Sequence, residues 1–242
     1  AVYDNIVVKS DTGKILFSED FQSGSNASFG AGTVSDGALN ISDAFVLQKE
    51  QNKGAAPMYR KAFTAEKEIK SARIYASALG LYEIEINGSK VGDDFFNPGW
   101  TAYELNQDDN NYVMYQTFDV TDYLKTGENV IGAVTGHGWY SGKLFVTGNN
   151  RYGAASKFLC QLKIEYTDGS TAVVATDESW QTSAAGPIIS DDFQLGENYD
   201  AQKEMDGWST AEFVPDESWI GASEYVYDGD IIAQVGPTVK AI

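Results

Sequence analysis

The strongest constraint on this chain lies in residues 79–142, where short runs of alternating apolar and polar residues are separated by tight-turn signals and glycine-flanked aromatic loops. Tyr82, Ile84 and Ile86 fall on one side of an extended run, and Glu83 and Glu85 on the other. This period of two marks a half-buried antiparallel strand. Asn87-Gly88 follows, a pair that accepts the positive backbone angles of a two-residue hairpin turn. Thr167-Asp168-Gly169 gives the same signal later. The pattern predicts strands at 58–63, 71–78, 82–86, 113–119, 129–135, 158–166, 171–176 and 225–228. A single helical turn is expected at 121–125, capped by Thr121 or Asp122 and ended by Gly127. Short strands at regular spacing, 13% aromatic residues and 24 glycines predict an all-β protein, an antiparallel jelly-roll β-sandwich.

Residues 57–232 carry this dense pattern. Residues 1–50 hold only short strands and a Gly/Ser/Asn-rich loop, too little to build a core alone. They read as a docked β segment or as the trailing strands of a preceding sandwich. Residues 51–57 form the join, and 233–242 read as an extended exit linker containing Pro237.

A formal net charge of −18 excludes nucleic acid as a partner, since a phosphate backbone needs a basic surface. Acidity suits a neutral ligand and divalent cations, and it also simply keeps a protein soluble. Cys160, the only cysteine, sits at an apolar strand position and reads as a buried thiol. No apolar run is long enough to span a membrane. His137, the only histidine, cannot make a multi-histidine metal site, and reads as a hydrogen-bonded structural residue.

Three loops carry candidate chemistry. In 104–111, the oxygens of Asp108, Asp109, Asn110 and Asn111 suit a hard cation such as Ca²⁺. The same residues also describe an ordinary polar turn. In 148–153, Asn149, Asn150 and Arg151 offer hydrogen-bonding groups to sugar hydroxyls, or form a glycine-flanked turn. Trp100, Trp139 and Tyr140 lie in glycine-flanked loops, where rings either stack on sugar faces or plug the end of the core. Phe193, Tyr199, Trp208 and Trp219 are expected to anchor loops over the sheet.

The ordered set PMYRKAF, SARIYASALGLYEIEINGSKVGDD, NPGWTAY, YQTFDVTDYLKTGENVIGAV, GHGWYSG, LKIEYTDGS, GENYDA and GPTVKAI closely resembles the amino-terminal β-sandwich of bacterial α-L-rhamnosidases of glycoside hydrolase family 78. The fold implied is galactose-binding-domain-like. Residues 2–48 resemble, more loosely, the tail of a concanavalin-like sandwich in those enzymes. The resemblance implies an accessory region with no catalytic residues of its own. In the family, inverting hydrolysis belongs to carboxylates of a separate (α/α)6 barrel, which would be the partner domain. Some members use this sandwich as a family 67 carbohydrate-binding module, where Ca²⁺ bridges Asp and Asn side chains to terminal L-rhamnose. Carried over, this implies a metal set of Asp108, Asp109, Asn110 and Asn149. The sugar contacts would come from Asp109, Asn110, Asn149, Asn150, Arg151, Trp139 and Tyr140. Glu197 and Asp200 match a family motif and are expected to fix a loop. The partners implied are rhamnose-containing plant or bacterial glycans, and a secreted, periplasmic or cell-surface parent is favoured. The alternative is a structural sandwich that packs on the barrel and binds nothing.

Overall fold

A computed structural model of the chain describes residues 45–47, 54–101, 103 and 111–241 in full, and the backbone of the strands lying between residues 2 and 44. Along the sandwich the strands are β1 (Ala44–Leu47), β2 (Met58–Ala65), β3 (Ile69–Leu79), β4 (Leu81–Ile86), β5 (Tyr112–Asp119), β6 (Gly127–Gly136), β7 (Lys157–Tyr166), β8 (Thr171–Ala175), β9 (Gln181–Ser183), β10 (Ile220–Gly221), β11 (Ser223–Val226) and β12 (Asp230–Ala233). The first sheet has the order β4–β6–β2–β9–β10, with the short strand Ser89–Lys90 on its β4 edge. The second runs β11–β1–β7–β3–β5–β12, with β8 also pairing with β7. Neighbours are antiparallel except β5 and β12, which pair in parallel. The eight strands expected from periodicity are all present, and their ends fall within two residues of the expected ones.

Alternation explains how the second sheet is buried on both faces. β3 and β7 lie side by side, with Ala76 opposite Cys160. Ile74, Ala76 and Ala78 of β3 and Phe158, Cys160, Leu162 and Ile164 of β7 join the core between the sheets, where Ile84, Ile86, Ile131 and Ala133 meet them. The alternate positions Tyr75, Leu79 and Leu159 belong to a second cluster with Tyr103, Tyr140, Leu144, Tyr152 and Tyr227. Loops that cover the outer face of the second sheet therefore fold onto a sticky aromatic surface rather than into water. Burial pushes the Cys160 thiol well above its ordinary pKa, as expected for an inert packing cysteine.

Chain reversals follow local chemistry. Gly80 passes the chain from β3 to β4 at φ 125°, and a Cβ there would come within 2.4 Å of the Gly136 carbonyl oxygen. Only glycine fits both demands. The turn expected at 121–125 is a 3₁₀ turn at Thr121–Tyr123. Its start is stabilised by Asp119, whose carboxylate accepts from the Thr121 backbone N–H at 3.0 Å and its hydroxyl at 2.7 Å. Neither Thr121 nor Asp122 serves as the cap, because the cap position is Val120.

β1 is part of the second sheet, between β7 and β11. Earlier strands pair among themselves: Asn5–Lys9 with Ile15–Asp20, and a small sheet ending in Ala38–Asn40. At the other end, Val239–Lys240 pairs antiparallel with Asp94–Phe95. Thr238 and Lys240 bond the carboxylates of Asp94 and Asp93 there.

The core account predicts a sharp contrast between two truncations. Leu162→Ala, at a fully buried position between the sheets, should lower unfolding free energy by about 2–5 kcal/mol. Val146→Ala, at a fully exposed position, should change it by less than about 0.5 kcal/mol. Urea denaturation of the two variants checks this, with similar losses counting against the assignment.

Candidate functional site

The aromatic cluster on the outer face of the second sheet organises the candidate loops. The Tyr103 ring packs edge-on against Tyr140 at 5.2 Å and Tyr152 at 5.1 Å. Tyr103 directly precedes residues 104–110 in sequence, and Tyr152 closes the loop containing Asn149–Arg151. Lys157 supports the cluster from within. It is 6% exposed, its ammonium donates to the Tyr140 hydroxyl at 3.1 Å, and it lies over the Tyr225 and Tyr140 rings at 4.2 and 4.7 Å. A buried cation is tolerated when aromatic faces and hydrogen-bond acceptors replace its water. Tyr227 donates to the Tyr103 carbonyl at 2.9 Å, fixing the Tyr103 backbone.

The turn after β6 is zipped to the following loop by backbone bonds. Asn150 N–H donates to the Ser141 carbonyl at 3.1 Å, and Tyr152 N–H to that of Tyr140 at 3.2 Å. Asn150 takes φ 59°, a left-handed conformation that asparagine adopts more readily than most residues. Together with the loop around Asp191 these segments enclose a cleft of about 430 Å³, lined by His137, Ser141, Asn149, Asn150, Asp191 and Asn198 among others.

Two adjacent carboxylates tie this cleft together. Asp191 accepts from the His137 backbone N–H at 2.7 Å and lies 2.8 Å from its Nδ1. Both side chains are less than one-fifth exposed. The Asp191 hydrogen bond, helped by the charges of Asp191 and Asp192, raises the His137 pKa against the opposing effect of burial. Asp192 accepts backbone N–H bonds from Lys143, Gln194 and Leu195 at 2.7, 2.7 and 3.0 Å. Burial pushes its carboxyl upward, but these donors outweigh it and hold the pKa below the ordinary range. Gly142 must stay small here, since a Cβ would lie 2.3 Å from the Gly138 carbonyl oxygen.

The structure distributes the expected site residues unevenly. Asp108, Asp109 and Asn110 lie outside the described residues. Asn149, Asn150 and Arg151 are exposed, and Arg151 has no partner among the described residues. Trp139 is half-buried and its ring is parallel to that of Trp100, 2° apart in plane with centroids at 6.3 Å. Tyr140, expected to offer a stacking face, is 1% exposed; it serves the core because it follows Trp139 by one residue on a tight helical turn, Gly138–Ser141. Asp200 caps the short 3₁₀ turn Ala201–Lys203, accepting from the Gln202 N–H at 3.1 Å. Lys157, Asp191 and Asp192 carry structure that sequence reasoning missed. An Asp-Asp pair in an acidic chain has no local signal of a histidine 54 positions away. Among the described residues no three His, Cys, Asp or Glu side chains converge as a metal set.

With this geometry in hand, comparison with known proteins is decisive. Residues 67–242 match the family described as the α-L-rhamnosidase N-terminal domain. The chain belongs to that family. Its similarity to an α-L-rhamnosidase of Streptomyces avermitilis is 41% identity over 177 residues, 72% of this chain and 16% of that protein. For the enzyme of Alteromonas sp. (strain LOR) it is 35% over 175 residues, 72% of this chain and 18% of that protein. The crystal structure of the S. avermitilis enzyme complexed with L-rhamnose matches with a TM-score of 0.72 at 38% identity, covering 78% of this chain and 18% of that one. The Aspergillus terreus α-L-rhamnosidase matches with a TM-score of 0.73 at 36% identity, over 82% of this chain and 23% of that one. The rhamnosidase N-terminal domain seen here thus spans about a fifth of the length of such relatives.

The His137–Asp191 pair gives this N-terminal domain a defined pH response. A histidine whose folded pKa exceeds its unfolded value of about 6.5 contributes stability that is fully present below that value. The contribution disappears as pH rises through the raised folded pKa. Melting temperature should therefore fall from pH 6 to pH 8 in the native sequence, and less steeply in His137→Gln. Asp192→Ala, which strands three backbone donors, should cost about 2–3 kcal/mol. Thermal scans across that pH range, plus urea titration of Asp192→Ala, check both; parallel pH slopes would refute the histidine assignment.

Proposed function

We propose that this domain is an accessory carbohydrate-binding module of an α-L-rhamnosidase, binding terminal L-rhamnose with the help of Ca²⁺. The observation that carries the reading is the contact of Tyr103 with Tyr152 at 5.1 Å. It sets Tyr103, the last described residue before the Asp/Asn-rich segment 104–110, beside the loop bearing Asn149. The residues flanking the first loop fit a cation that draws on neutral oxygens. Asn111 Oδ1 and Thr101 Oγ1 are buried with no hydrogen-bond partner among the described residues. Unpaired buried acceptors are uncommon, and an unseen ion is one explanation for them.

On this reading Asp108, Asp109, Asn110 and Asn149 hold the ion. Ca²⁺ supplies a hard Lewis-acidic centre that accepts sugar hydroxyls alongside carboxylate and amide oxygens. Asn150 and Arg151 hydrogen-bond the remaining hydroxyls, and Trp139 supplies an apolar face. Hydrolysis in the parent, by an inverting mechanism on rhamnose-containing glycans, belongs to a catalytic domain outside this chain. The S. avermitilis enzyme crystallised in complex with L-rhamnose supports the sugar class. The competing reading, a sandwich that only packs on the catalytic domain, draws on the anchoring of Val239–Lys240 to Asp94–Phe95, which fixes the last described strand rigidly to the body.

Calorimetry with L-rhamnose separates the two. Affinity near millimolar is expected, about 4–6 kcal/mol. It should be lost in EDTA and weakened about tenfold or more by Asp109→Ala, which removes a charged ligand from a hard cation. Sugar binding that survives EDTA unchanged contradicts the ion-bridged mechanism. No binding under either condition favours the packing role.

A further inference from the structure

We propose that an exposed aromatic strip beside the candidate loops binds a neutral oligosaccharide without a metal ion. The strip runs Trp100–Trp139–Phe193–Phe96, with successive ring centroids 6.3, 4.6 and 5.6 Å apart. Trp100, Phe193 and Phe96 are 49%, 45% and 50% exposed. Large aromatic rings normally bury most of their surface, and a contiguous exposed patch of them marks a contact surface. The sandwich has no need of these rings as a core plug, because Tyr103, Tyr140 and Tyr152 already fill that end of the second sheet.

The strip is held in place rather than merely left over. Trp100 donates its indole N–H to the Tyr152 hydroxyl at 3.4 Å, so its polar edge is engaged while half of its surface stays in solvent. Phe193 follows Asp192, whose three backbone hydrogen bonds fix the loop that carries it. Phe96 takes φ 60°, a conformation rare for a bulky residue, yet the backbone holds its ring half in water. Strain of that kind is found where function sets the geometry.

Chemistry favours a sugar over a protein segment. The ring-to-ring steps are each about the size of one sugar ring, and the C–H faces of sugars stack on aromatic faces. The Phe193–Phe96 end of the strip borders a groove of about 370 Å³, walled by Leu81, Phe95 and Ile188 and flanked by the carboxylate residues Glu83 and Glu197. Carboxylates accept sugar hydroxyls, and in a chain of charge −18 they repel uronates. The ligand is therefore a neutral glycan. Trp100 touches Tyr152, so the strip starts at the loop assigned above to the terminal sugar and leads away from it. Its site is the continuation of a glycan chain. The inference extends the sugar-binding reading but does not depend on its ion.

The test is fluorescence titration and calorimetry with rutinose, a neutral rhamnosyl-glucose disaccharide, in EDTA. Binding with a change in tryptophan emission is expected, weakened about fivefold by Trp100→Ala and by Phe193→Ala and unchanged by Asp109→Ala. Both strip variants alter exposed side chains, and unchanged melting temperatures confirm that they fold. If Asp109→Ala or EDTA abolishes all rutinose binding, the ion site stands alone and the strip proposal falls. If rutinose binds in EDTA while Ca²⁺ adds nothing, the strip stands and the ion reading falls. Absence of any binding in EDTA, or sedimentation showing a dimer that Phe193→Ala dissociates, overturns the proposal, the latter because a second copy then occupies the strip.

Discussion

The second sheet's burial on both faces is the constraint from which the rest of the molecule follows. β3 and β7 alternate small or aliphatic residues toward the sandwich core with aromatic and aliphatic residues toward the other side. A sheet with one solvated face would have left Tyr75, Leu79 and Leu159 in water. Among the described residues they are covered by Tyr103 and by the loops after β6 and Gly148. Tyr103, Tyr140 and Tyr152 are the anchors by which these loops attach. Lys157 makes the arrangement specific, since its buried ammonium needs the Tyr140 hydroxyl and two ring faces in fixed positions. Packing energy spent on the scaffold thus sets which loop residues stand next to one another.

Polar chemistry then fixes the loop surface. Asp191 and Asp192 are adjacent in sequence but do different work. One pairs with the only imidazole, and the other gathers three backbone donors. Together they hold the turn after β6 against the 190–196 segment, and they support Phe193 beside Trp139. This division suits a domain that belongs to the α-L-rhamnosidase N-terminal family and spans a small part of its relatives.

Much of the fold was legible in sequence because its signals are local. The alternation in 82–86, the Asn87-Gly88 turn and the 158–166 run each identify their own strand, and the observed ends agree closely. β9, β10 and β12 were missed because they are two to four residues long and owe their conformation to neighbours, not to their own pattern. The parallel pairing of β12 with β5 is likewise set by a distant chain path. At the candidate site, the glycine flanks of Trp100 and Trp139 left open whether their rings face out or plug the core; Trp100 is 49% exposed and Trp139 half-buried. Tyr140 could not be separated from Trp139 by sequence, because neighbouring residues on a helical turn point about 100° apart and either could face the core. The His137–Asp191 bond and the buried Lys157 depend on long-range contact, which periodicity cannot show. Asp108, Asp109 and Asn110 lie outside the described residues.

The proposed ion site joins the Asp/Asn-rich segment 104–110 to the Asn149 loop, with the flanking Tyr103 and Tyr152 in contact at 5.1 Å. Terbium(III), a luminescent stand-in for Ca²⁺ that is sensitised by nearby tryptophan and tyrosine, tests it most directly. Titration should give sensitised emission that Ca²⁺ displaces, with binding weakened both by Asp109→Ala and by Asn149→Ala. If Asp109→Ala abolishes binding while Asn149→Ala leaves it untouched, or if no sensitised emission develops, the two loops do not form one site and the account is wrong.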